Sequence, residues 1–82
     1  MLATLIEEGK TLESAAKETT MGTKFFDSVD FETWAAKSIS YLEQQQRGFT
    51  VTERMLEKYK NVNQNNNYDF YNQLLGALQS FA

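Results

Sequence analysis

Eighty-two residues with no cysteine and no histidine make one small domain, spanning 1–82, with neither disulfides nor the usual zinc ligands to staple it. Its core must come from aliphatic and aromatic side chains or be completed by a partner; six Phe, four Tyr and one Trp supply large burial areas for so short a chain. Eleven acidic against eight basic residues leave a net charge of −3, which disfavours nucleic acid and anionic membranes as general partners.

The charge is uneven: residues 1–41 hold four lysines against seven carboxylates, and residues 42–82 hold four of each sign. No run approaches the roughly 18 apolar residues of a membrane-spanning helix. The first residues lack a basic stretch and reach Glu7 too soon for the apolar segment of a signal peptide. A cytoplasmic protein is the expectation.

Leu2, Leu5, Ile6, Gly9, Leu12 and Ala16 recur at intervals of three and four, which predicts an amphipathic helix over about 2–18. Gly9 on its apolar face reads as a packing position where another element comes close. Residues 19–29 (T-T-M-G-T-K-F-F-D-S-V) are rich in loop formers, and their apolar members read as a plug over the core. In the competing reading Phe25 and Phe26 are an exposed anchor for a partner.

The second helix is predicted over 31–47. Asp30 serves as its N-cap, Val29 and Trp34 form a hydrophobic staple, and Gly48 takes positive φ just past its end. Phe31, Trp34, Ala35, Ser38, Ile39 and Leu42 make its inner face. A third helix, about 51–61, starts at a capping box Thr50-x-x-Glu53 or at Thr52, with Val51, Met55, Leu56, Tyr59 and Val62 as its stripe. The asparagine-rich stretch 61–67 is a loop. Asn66 or Asn67 caps a fourth helix over 68–81, whose stripe is Tyr71, Leu74, Leu75, Leu78 and Phe81. Tyr68 and Phe70 lie off its centre. Four such segments without an alternating strand pattern predict an all-α bundle with antiparallel neighbours. The tight turn between the second and third helices also allows a steep angle there.

Function is less legible. Without His or Cys there is no imidazole base, thiolate nucleophile or Cys/His metal site, and the glycines are too scattered for a phosphate loop. Glu7-Glu8 and Asp27/Asp30 are the nearest carboxylate pairs for acid–base work, at spacings a solvated helix face or a capping loop would show anyway. No enzyme, cofactor or metal is expected. A helix-turn-helix DNA reader over 31–60 is the alternative, with Thr50, Thr52, Arg54, Lys58 and Lys60 as its contacts; Glu53 and Glu57 would oppose it. The favoured reading is a protein-interaction module with Phe25, Phe26, Tyr68 and Phe70 as contact residues, meeting another protein or a second copy of itself. The small acidic all-helical pattern resembles bacterial or phage-borne immunity proteins, antitoxins and inhibitors of host defence. No motif assigns one of those families. The resemblance implies a regulator or inhibitor and carries no residues across.

Overall fold

The first apolar stripe folds as α1, Leu2–Leu12, in a computed structural model that describes residues 1–82. The helix ends where its stripe thins. Glu13–Ala15 tighten into a 3₁₀ turn, and Ala16 is extended (φ −66°, ψ 134°). The predicted continuation to residue 18 is therefore replaced by strand β1, Lys17–Glu18, paired antiparallel with β2, Lys24–Phe25. Periodicity gave no sign of this hairpin, because two-residue strands are too short to show alternation. Its tip is closed locally. The Thr19 hydroxyl accepts from the N–H groups of Met21 and Thr23 at 3.3 and 3.1 Å, and Gly22 turns the chain with φ +84°, a conformation that costs glycine little.

Helix α2 is Val29–Gln45, two residues earlier at each end than expected. Ser28, not Asp30, is the N-cap: extended in backbone, its Oγ accepts from the Phe31 N–H at 3.2 Å. Val29 becomes the first helical residue and is 79% exposed, so the Val29–Trp34 staple does not form. Asp30 and Glu32 lie in the first turn, where carboxylates suit the helix dipole. At the far end the Gln46 N–H donates to the Leu42 carbonyl; Gly48 has the expected positive φ, +93°, but lies three residues past the last helical residue, Gln45, rather than directly after the helix.

Helix α3, Thr50–Tyr59, starts from Phe49 without a side-chain cap. The capping box is not made, and Thr52 is a fully buried residue within the helix. Helix α4 is Asn67–Ser80. Asn66 stands at its cap position without capping it; its amide instead ties the preceding loop, accepting from the Asn63 N–H at 2.8 Å and donating to the Asn61 carbonyl at 3.1 Å.

The chain is thus 67% helical: four packed helices and one short hairpin. Contacts fix the directions. Thr11 and Leu12 share a groove with Asp30 and Thr33 while Met1 and Leu2 share one with Tyr41 and Gln44, and Tyr71 reaches Gly9 while Tyr68 reaches Glu13, so α1 runs antiparallel to both α2 and α4. Phe49 pairs with Phe81 and Tyr59 with Phe70, so α3 is antiparallel to α4. Helices α2 and α4 touch along the middle, and α1 and α3 flank them without meeting.

Three polar joints lock the core. The Trp34 indole N–H donates to the Leu5 carbonyl at 2.8 Å, and the Tyr71 hydroxyl donates to that of Gly9 at 2.6 Å. The Asn67 amide bonds both backbone groups of Phe26 at 2.8 Å each. Around them Phe26 stacks on Phe31 with centroids 4.6 Å apart and meets the Tyr71 ring edge-on at 4.9 Å. Close approach explains Gly9: a Cβ there would lie 2.7 Å from Trp34 Cζ2.

Candidate functional site

The end of the bundle where α2 begins brings together features that folding does not use. Val29, an apolar residue on the first turn of α2, stands in solvent beside a groove of about 610 Å³. Asp27 and Glu32 edge the groove on the α2 side; Tyr59 and Val62 wall it from α3 and the loop beyond, and Asn63 and Gln64 of that loop complete the lining. Its floor is the Phe26–Asn67 joint. The position of each follows from the local fold. Ser28 caps the helix two residues before Asp30, which turns Phe31 and Trp34 inward and leaves Val29 and Glu32 outward. Tyr59 lies against Phe70 at 5.9 Å between centroids, so one of its faces is spent on the core and it is only partly buried.

The groove's electrostatics are one-sided. Asp27 and Glu32 are the only charged side chains lining it. Asp27 has a loose, exposed partner in Lys17 at 3.6 Å, and Glu32 has no ion-pair partner. The N-terminus of α2 contributes about +0.5 of a charge, which Asp27, Asp30 and Glu32 together outweigh. Across α2 a second groove of about 410 Å³ exposes Glu7 and Asp30, with Glu8 and Lys37 already paired. At the opposite end of the bundle a groove of about 630 Å³ runs between Met1, Leu2, Lys37 and Tyr41; it contains no carboxylate.

Most residues proposed as protein contacts are spent elsewhere. Phe26 is 2% exposed and Phe70 4%, so both are core side chains. They cannot anchor a partner on this surface. Phe25 is half-buried in β2. Tyr68 is half-buried, its hydroxyl donating to the Glu13 carboxylate at about 2.9 Å and its ring under the Lys24 ammonium at 5.3 Å. The plug reading of Phe26 holds because Asn67 satisfies both of its backbone groups, which lets an irregular segment be buried.

The DNA alternative is also altered at one residue. Thr52 is fully buried, its Oγ1 lacking a hydrogen-bond partner, and so cannot reach a base edge. Thr50, Arg54, Lys58 and Lys60 are exposed; Lys60 pairs with Glu57 at 3.4 Å. Helix α3 lies along α4 over its length rather than projecting from the bundle.

Of the carboxylates considered for acid–base chemistry, Glu8 pairs with Lys37 and Asp27 with Lys17. The buried phenol of Tyr71 is the one perturbed titrating group. Burial first, then the Glu13 carboxylate and the Tyr68 phenol, hold its pKa above the usual tyrosine range. It lies inside the core rather than in a groove. No helix is long and apolar enough to cross a membrane.

The groove is not legible in the sequence, where Val29 fits the staple position before the helix. The signal lay in the adjacent caps: Ser28 and Asp30 are both good N-caps, and only the earlier one exposes Val29. Compared with family models, curated proteins and solved structures, the chain shows no significant match.

Proposed function

We propose that this chain is a non-enzymatic protein-interaction module that receives another protein at the groove beside Val29. The observation that carries the reading is Val29 itself. A β-branched apolar residue on the first turn of a helix, 79% exposed, does nothing for the core, and removing it from water at an interface contributes about 1.5–3 kcal/mol. Tyr59 and Val62 extend the apolar surface across the groove, and tyrosine is favoured at interfaces. Covering the protein it binds would make the chain a regulator or inhibitor of that protein.

The test uses the native chain and Val29→Ser, a change that keeps charge and places a tolerated residue at a helix start. Sedimentation over a concentration range separates self-association from a second partner, and affinity capture from the natural host identifies that partner. The expected result is one discrete protein retained by the native chain and lost by Val29→Ser, with unchanged circular dichroism. Retention of the same protein by both would move the interface elsewhere. Selection of a specific duplex DNA, abolished by Arg54→Ala, would replace the reading with the DNA-binding one.

A further inference from the structure

We infer that the groove takes a lysine or arginine side chain from a basic, partly apolar segment of the partner, a conclusion that rests on the module reading above. Charge decides the class. Asp27 and Glu32 are the only ionised groups lining the groove; Asp27 has one exposed partner in Lys17 at 3.6 Å, and Glu32 has none. The cations of α3 do not reach it: Lys58 faces the next groove round, beside Glu57 and Asp69, and Lys60 is held by Glu57. An acidic segment would therefore meet net negative charge in the groove, a repulsion that desolvation strengthens.

Shape decides the rest. Lysine and arginine carry an apolar stem behind a charged head. The walls offer the matching sequence: Tyr59, Val62 and Val29 for the stem, then Asp27 and Glu32 for the head. The tyrosine face also suits a guanidinium or ammonium group. A purely apolar segment would leave Glu32 desolvated without a counter-ion and Asp27 with only its exposed Lys17, whereas a cation satisfies both. Arginine is favoured over lysine, because its planar fork can engage a carboxylate with two hydrogen bonds while stacking on an aromatic ring.

The experiment is a selection of displayed random 12-residue peptides on the full native chain, run in parallel on Glu32→Lys. Glu32 is exposed and outside the core, so circular dichroism of the variant is expected to match the parent. Peptides selected on the native chain should be enriched in Arg or Lys next to Val, Leu or Phe. They should shift the amide resonances of residues 27–32 and 59–64, weaken as salt rises, and bind Glu32→Lys at least roughly tenfold less tightly. Selected peptides that shift the same amides but are not enriched in Arg or Lys, or that bind Glu32→Lys as well as the parent, would overturn the cation assignment and leave the module reading standing. Failure to select any peptide that shifts those amides would overturn both.

Discussion

Gly9 shows how a single missing methyl sets the spacing of the core. Alanine would gain up to ~1 kcal/mol of helix propensity, yet its Cβ would lie 2.7 Å from Trp34 Cζ2 and 2.9 Å from Leu75 Cδ1. Leu75 is half-exposed and can swing aside. Trp34 is buried and held through its indole N–H to Leu5, so it cannot. Overpacking of this kind costs ~1–3 kcal/mol, and Gly9→Ala is expected to lose up to ~2 kcal/mol net in chemical denaturation. Tyr71 is the second informative residue. Its phenol is harder to ionise in the fold than in the unfolded chain, so the unfolded state releases the proton first as pH rises. Its contribution to stability is therefore complete below pH ~10 and lost as pH climbs from there through the raised folded value. Tyr71→Phe should lose ~1 kcal/mol near neutrality with the hydrogen bond to Gly9. It should also show a shallower alkaline decline than the parent, measured as melting temperature against pH.

At the level of elements, the helices that were legible are those with long stripes. Phe31 to Leu42 and Tyr71 to Phe81 repeat through about three turns each, and α2 and α4 appear where the spacing placed them, within two residues. The misreadings all fall at ends, where several residues can perform one task. Ser28 and Asp30 compete for one cap; Thr50 and Thr52 look like caps but α3 starts from Phe49. Beyond Leu12 only Ala16 and the Glu13–Lys17 spacing argue for more helix, and the threonine turn at 19–23 outweighs them. The groove was illegible for a related reason: it joins Val29 and Glu32 to Tyr59 and Val62, and pairing between distant turns leaves no periodic mark. Gly48 was readable because positive φ has few residue solutions. Nothing lies within 4 Å of a Cβ built there, so Gly48→Val tests backbone strain without a clash. A loss of at least ~1 kcal/mol in denaturant unfolding is expected; unchanged stability would mean that the turn readily adopts another shape.

As a whole molecule, the chain exposes 5164 Å², close to the roughly 5,000 Å² expected of a compact monomer of this mass. Its large exposed apolar side chains lie at both ends of the bundle, with Val29 and Met21 at one and Met1 and Phe49 at the other. The joint between Phe26 and Asn67 spans 41 residues of sequence and attaches the hairpin segment to α4. Asn67→Ala would leave two buried backbone groups without partners, at ~1–3 kcal/mol each, a large share of the 5–15 kcal/mol typical of a domain. Its effect on rates is more specific. Helical turns close locally and quickly, whereas a contact so distant along the chain requires a large loop to be ordered first. The joint therefore belongs after the folding transition state, and it acts as a latch on the way out. Stopped-flow traces of Trp34 fluorescence should show Asn67→Ala folding at nearly the parent rate but unfolding at least roughly 30-fold and up to about 25,000-fold faster. Slower folding by that factor would instead place the latch in the nucleus. One asparagine amide, in a chain without disulfides, then sets how long each folded molecule lasts.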